Sequence, residues 1–264
     1  MAMNLEERTL LIKKWVLEAG DKIQILLKND LSVQQKSNRT DLVTNIDKEI
    51  EKYFVEKIRT YFPDELIFSE EGFGNTVTKL DGNIWYLDPI DGTTNFIMQQ
   101  KNYAVMIAVY EDGVGQIGMI YDVYNNKLYE ATKGRGAWVN GEKISQPKNI
   151  SMRNGLLALN SQIIFRKEFE THRNLGNESL GVRMIGSAGL EMMEVLQGRT
   201  ALYLASSLEP WDFAPALILI AETGLVTRNF DGMAIDLLNK QSFACGTPQS
   251  IKDFLGYLEK KRLQ

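Results

Sequence analysis

The chain has 264 residues, 44% of them hydrophobic and 24% charged, the make-up of an ordinary globular protein long enough for two sub-domains that share an interface. A net charge of −4 offers no basic field for a polyanion to follow, so direct nucleic-acid binding is not expected. The single cysteine, Cys245, excludes an internal disulfide and a multi-cysteine zinc site; with no signal-like or membrane-spanning segment, a cytoplasmic protein without membrane association is expected.

Over 5–28 the apolar residues Leu5, Ile12, Trp15, Val16, Ala19, Ile23 and Leu26 recur at three- and four-residue steps, which predicts an amphipathic helix. The turn-like run Lys36-Ser37-Asn38-Arg39-Thr40 precedes a second helix. It opens near Thr44-Asn45, with Asp47 in its first turn, and ends at Phe62-Pro63. Short strands are predicted at 66–69 and 84–87, each running into acid: Glu70-Glu71 after the first, Asp88 after the second. Segments 103–110, 116–121 and 127–131, broken by Glu111-Asp112-Gly113 and Tyr124-Asn125-Asn126, read as an antiparallel meander. Beyond a boundary at Gln146-Pro147 the rhythm becomes α/β. Strand 156–159 is followed by a helix from 163, helix 187–196, strand 201–204, helix 210–223, strand 242–244 and a helix to 258.

Three features with other chemical associations are set aside. Gly113-Val114-Gly115-Gln116-Ile117-Gly118 spells the dinucleotide fingerprint, yet 119–124 reads as a strand where that fingerprint must open a helix, so a hairpin turn is expected. His172, the only histidine, is expected to be solvated near a helix end, and one imidazole supplies neither a usual zinc hydrolase site nor a well-placed triad. Cys245-Gly246-Thr247-Pro248 lacks the arginine-bearing loop of a cysteine phosphatase, and the thiol is expected to end a buried strand.

The segment Trp85-Tyr86-Leu87-Asp88-Pro89-Ile90-Asp91-Gly92-Thr93-Thr94-Asn95-Phe96 is the most informative. A strand delivers Asp88, Pro89 stiffens the exit, and Gly92 permits a sharp turn before a short helix from Thr93. Two carboxylates thus come to lie beside free backbone amides. Hard oxygens suit magnesium, and helix-start N–H groups suit a phosphate. Taken singly, Asp88 and Asp91 serve equally well to end a strand and cap a helix. Glu70-Glu71 at another strand end, Asp212 in the first turn after Glu209-Pro210-Trp211, and Asp47 widen the set, and each of these also has a capping explanation.

In order and at matching separations, the chain carries Asp41-Leu42-Val43-Thr44-Asn45-Ile46-Asp47, Glu70-Glu71, the 88–96 segment, Lys133-Gly134-Arg135-Gly136-Ala137-Trp138, Gly186-Ser187-Ala188 and Trp211-Asp212. This set resembles the inositol monophosphatase family of lithium-sensitive, magnesium-dependent phosphatases over nearly the whole chain. The resemblance implies a fold of the α+β and α/β classes combined, a layered α-β-α-β-α sandwich. In it, residues 1–146 form an α+β sub-domain whose antiparallel sheet carries most metal ligands. Residues 147–264 form an α/β sub-domain that contributes Asp212 and the substrate pocket.

The resemblance also implies a hydrolase acting on a small phosphorylated metabolite, a sugar or inositol phosphate, by metal-activated water attack, in a homodimer. Glu70, Asp88 and the Ile90 carbonyl would hold one Mg2+, Asp88, Asp91 and Asp212 a second, and Glu70 a looser third. Thr93, paired with Asp47, would orient and deprotonate the attacking water. The Gly92 and Thr93 amides would grip phosphate, with Thr94, Arg183, Ser187 and Ala188 also on the substrate side. Where animal members have a glutamate that contacts inositol hydroxyls, this chain has Ala205, with Ser206, Ser207 and Glu209 nearby. Fructose bisphosphate and NADP therefore stand as alternative substrates. A non-catalytic role in transcription and ribosome assembly is the alternative of another class. An aspartyl-nucleophile phosphatase of the haloacid dehalogenase type is disfavoured, because two residues rather than one separate Asp88 from Asp91.

Overall fold

The computed structural model describes residues 3–28, 31–36 and 42–263; Asp41 and all but Lys36 of the expected turn at 36–40 lie outside the described residues. Helix α1 (Leu5–Leu26) starts at Asn4, whose side chain accepts from the Glu6 and Glu7 amides while Glu7 reaches back to the Asn4 N–H. Strands β1 (Val33–Gln35) and β2 (Leu42–Thr44) form an antiparallel ribbon that is too short for its alternation to register in the sequence. Helix α2 (Asn45–Tyr61) opens on a reciprocal box between Thr44 and Asp47 and stops at Phe62, before Pro63.

Next come β3 (Leu66–Ser69), β4 (Asn83–Asp91), helix α3 (Thr93–Gln99), β5 (Ala104–Glu111), β6 (Val114–Asp122), β7 (Lys127–Thr132), β8 (Ala137–Val139) and β9 (Glu142–Lys143). The strands form one seven-stranded sheet in sequence order, parallel only between β3 and β4. Strand β4 runs four residues past the predicted 84–87. A register shift between Asp88 and Asp91 accommodates Pro89, which has no N–H to give the ladder. The dinucleotide look-alike is the β5–β6 hairpin, with Asp112 and Gly113 both at positive φ. Alternation along the strands sorts the sheet's two faces. Trp85, Leu87, Val105, Ile107 and Val109 join the core under α1 and α2, whereas Ile84, Tyr86, Met106, Ala108 and Tyr110 face the other way.

The second half contains β10 (Leu157–Leu159), α4 (Ser161–Phe165), α5 (Glu170–Asn174), β11 (Val182–Arg183), α6 (Ala188–Leu196), β12 (Leu202–Leu208), α7 (Pro210–Glu222), β13 (Val226–Arg228), β14 (Gln241–Gly246) and α8 (Pro248–Arg262). Its sheet has the order β11-β10-β12-β14-β13, parallel across β11, β10 and β12 and antiparallel at β14. The helix expected from 163 is instead two short helices joined by 3-10 turns.

Helices α6 and α7 lie between the sheets: α7 packs on β4 to β7, and α6 touches β5 and β6 on one side and β12 and β14 on the other. With α1 and α2 outside one sheet and α4 and α8 outside the other, the layers run α-β-α-β-α. Glycine allows the closest approach. A Cβ on Gly118 would lie 2.4 Å from the Pro215 carbonyl oxygen of α7.

Cys245 is buried in β14. His172 is not solvated as expected. Its ring stacks on Phe230 at 4.5 Å and meets Phe169 and Phe254 edge-on or tilted, and both ring nitrogens are buried without a hydrogen-bond partner. This apolar setting pushes its pKa down. The sequence hid this because two of the three rings, Phe230 and Phe254, come from distant segments. No helix among the described residues is long and apolar enough to cross a membrane.

Candidate active site at the seam between the sheets

The β4–α3 turn sits at the seam. Gly92 adopts φ 91°, and a Cβ there would come within 3.1 Å of the Asn102 carbonyl and of Ser187, so a side chain would meet both strain and contact. Strand β4 thereby ends with Asp88 and Asp91 pointing into a cavity of about 670 Å³, which Glu70, Ile90, Gly92, Thr93, Thr94 and Asp212 also line. Ser187 and Ala188 from the start of α6 reach the same cavity.

Asp91 ties the two halves together: Ser187 Oγ donates to it, as do the amides of Ala188 (3.0 Å) and Gly189 (2.7 Å). The polar groups of Ser187 and Ala188 are thus committed to holding Asp91 at the N-terminus of α6. Asp212, at the third position of α7, accepts from the Glu209 amide at 2.8 Å. The Lys133-Gly134-Arg135-Gly136 loop anchors the far end of that helix, since the Gly134 and Gly136 amides each donate to Glu222 at 2.7 Å.

Two acids of α2 lie one turn apart. Asp47, fully buried, accepts from the Thr44 amide and hydroxyl through one oxygen and from Thr93 Oγ1 through the other, at 3.1 Å. Thr93 Oγ1 also stands 3.0 Å from the Ile90 carbonyl. Glu51, likewise fully buried, accepts from Ser69 Oγ at 2.6 Å and from the Glu71 and Phe73 amides at 2.6 and 2.9 Å, which fixes the turn that carries Glu70. Nothing in the sequence pattern singles out Glu51. Its position four residues after Asp47 on an inward helix face was the available signal.

The electrostatics are those of crowded acid. Burial, then Glu70, Asp91 and Asp212 in turn, hold Asp88 well above the usual carboxylate range, and burial followed by Asp91 and Glu70 does the same for Asp212. Burial pushes Asp91 and Asp47 each up to about 6. Lys36 from the end of β1 pairs with Glu70 at 2.9 Å and with Glu71 at 2.5 Å. Among the described residues no three acidic, imidazole or thiol side chains stand in an arrangement that itself encloses a cation. The physical reason is visible: Glu70 is turned to Lys36, Asp91 to α6 and one oxygen of Asp212 to its own helix start. The donor set nonetheless fits magnesium. It consists of hard carboxylate oxygens whose mutual repulsion a divalent cation relieves.

Arg183, expected on the substrate side, does not line this cavity. It lies on the edge strand β11 and donates to the neighbouring Val182 carbonyl. Residues that sequence reasoning missed do line it: Asn95, Gln99, Asn160, Gln162, Glu191 and Tyr203. Their signal was weak, since Asn and Gln are ordinary surface residues without a fixed spacing.

Residues 4–261 match the inositol monophosphatase family. The inositol-1-monophosphatase of Bacillus subtilis is 39% identical over 254 residues, covering 95% of this chain and 96% of its own. A fructose-1,6-bisphosphatase/inositol-1-monophosphatase of Thermotoga maritima is 32% identical over 79% of each chain. Among solved structures, an IMPase/NADP phosphatase complexed with Mg2+ and phosphate superposes with a TM-score of 0.90 at 30% identity, covering 96% of this chain and 95% of that one. With the layered fold and the acidic seam in place, the match from one end of the described chain to the other settles its kinship: it belongs to the inositol monophosphatase family.

Proposed function

We propose that this phosphatase hydrolyses a small sugar or inositol phosphate in the acidic cavity, with magnesium as its cofactor. The observation that carries the reading is the convergence of Glu70, Asp88, Asp91 and Asp212, from three separate stretches of chain, on one cavity. Glu70, Asp88 and the Ile90 carbonyl would hold one Mg2+, Asp88, Asp91 and Asp212 a second, and Glu70 a looser third. When bound, the cations lower the pKa of water and neutralise charge that develops on the phosphoryl oxygens.

The chain's own residues supply orientation and proton handling. Asp47 accepts the Thr93 hydroxyl hydrogen bond, so Thr93 Oγ1 can take a proton from the attacking water as its own proton passes to Asp47. With its pKa near 6, Asp47 is largely ionised at neutral pH and can play that part. Gly92 and Thr93 present first-turn amides to the phosphate. Asp91, held by α6, keeps the two halves of the site in register.

The test is phosphate release from a panel of phosphomonoesters with magnesium titrated and lithium added. Magnesium-dependent, lithium-inhibited release is expected, and release indifferent to magnesium would contradict the reading. The proposal includes a cytoplasmic homodimer. The exposed apolar side chains Met98, Phe165, Leu180 and Met184 give such an interface something to cover. Light scattering should return twice the 30.0 kDa chain mass.

A further inference from the structure

Four side-chain amides line the cavity: Asn95, Gln99, Asn160 and Gln162. Three are committed within the protein. Asn95 Nδ2 donates to the Asn102 and Ile185 carbonyls at 2.9 Å each. Gln99 Nε2 donates to Asn95 Oδ1 at 3.3 Å. Asn160 Oδ1 accepts from the Ile163 amide while its Nδ2 donates to Ser206 Oγ at 3.4 Å. The Ser206 hydroxyl in turn donates to Gln162 Oε1 at 2.9 Å. The shorter contact of the Ser206 hydroxyl, 2.9 Å to Gln162 against 3.5 Å to Asn160 Oδ1, assigns Oε1 as the accepting end of the Gln162 amide, and Gln162 Nε2 has no protein partner among the described residues.

Among the described residues the lining also contains five carboxylates, Glu70, Asp88, Asp91, Glu191 and Asp212, and neither lysine nor arginine; Lys36, which touches Glu70, is already paired with it and with Glu71. Bound cations answer the reacting phosphate, but a second phosphate on the leaving group would meet acid and uncharged amides.

We propose that Gln162, oriented by Ser206 and Asn160, is a specificity-determining residue that donates to a hydroxyl of the leaving group, and that the site selects uncharged polyol monophosphates over bisphosphates and dinucleotide phosphates. The inference rests on the phosphatase reading above and narrows it. A neutral donor rewards a hydroxyl oxygen modestly, whereas an unpaired dianion in an acidic, partly dry cavity is strongly disfavoured. Discrimination therefore comes chiefly from exclusion.

The experiment measures kcat/KM for inositol 1-phosphate, fructose 1,6-bisphosphate, NADP and p-nitrophenyl phosphate with saturating magnesium, in the wild type, Gln162→Leu and Gln162→Lys. The wild type should favour inositol 1-phosphate over fructose 1,6-bisphosphate and NADP by at least about tenfold. Gln162→Leu should lower the ratio of inositol 1-phosphate to p-nitrophenyl phosphate about fivefold, through KM more than kcat. Gln162→Lys should move the preference toward the bisphosphate. A wild type that prefers the bisphosphate or NADP overturns the inference, as does an unchanged ratio in both variants. Failure of magnesium to support hydrolysis of p-nitrophenyl phosphate, which has no polyol to read, would instead remove the phosphatase reading and this inference with it.

Discussion

At the scale of single residues, the site assigns neighbouring acids different tasks through their partners. Asp91 is held by three donors from the start of α6, Asp47 joins Thr44 to Thr93, and Asp88, almost fully buried among other acids, accepts from the Ile90 amide. Thr93→Ala removes the hydroxyl that Asp47 positions without touching a carboxylate. Its kcat should fall about 100-fold while thermal stabilisation by magnesium persists, which steady-state kinetics and a melting series would check together.

Glu191 gives a pH prediction. It is buried in α6, one carboxylate oxygen has no partner, and burial pushes its pKa up to about 7. A folded-state value above the unfolded 4.5 means the protonated form is favoured on folding. Its stabilising contribution is therefore complete below pH 4.5 and is lost as pH rises toward 7. Glu191→Gln, which keeps a neutral group there, should gain stability over the wild type by about 1–3 kcal/mol at pH 8 and show little difference near pH 4.5. Chemical denaturation at the two pH values measures it.

Capping chemistry made Asp47 and Thr44 legible in the sequence, because a helix start has a local code. The Asp47–Thr93 pairing was implied only by family resemblance. Glu51 and Gln162 were illegible, because their partners come from segments far away in the chain, and Glu191 was illegible because the Ile185 amide it accepts from belongs to an irregular turn without a sequence code.

At the scale of elements, α7 joins sheet and site. Its N-terminal turn presents Asp212, its middle rests on β6 where Gly118 meets Pro215, and its C-terminal Glu222 grips the 133–136 loop. A Cβ at Gly118 would contact backbone that cannot swing aside. Gly118→Ala should therefore cost about 2 kcal/mol, or several degrees in melting temperature, and shift Asp212 enough to weaken magnesium binding. A calorimetric melt with and without the ion tests both halves of that statement.

Strong period-2 and period-3.6 patterns made the long elements readable: α1, α2, the meander and α7 lie within a few residues of where the sequence put them. The ribbon of β1 and β2, the two-residue strands β9 and β11 and the broken stretch from α4 to α5 have too few residues to establish a period. Strand β4 outran its predicted end because a bulge carries a strand past a proline, and a bulge leaves no pattern in composition.

At the scale of the whole molecule, the two sheets fall on either side of residue 146, yet one core cluster runs from Tyr86 and Met106 of the first sheet through α6 and α7 to Tyr203 and Phe243 of the second. The division at 146 and 147 is accordingly proposed as one between sub-domains that share their middle layer. The acidic cavity lies at that shared layer, so its geometry depends on both halves.

The central claim is that these carboxylates are gathered to hold divalent cations. Thermal unfolding of the wild type and Asp88→Asn across a magnesium titration tests it most directly. The wild type should rise by several degrees, about 3 kcal/mol of stabilisation at a hundredfold excess over Kd. The variant, with one crowded charge removed, should lose that response. An equal rise in both proteins, or none in the wild type, would contradict the account.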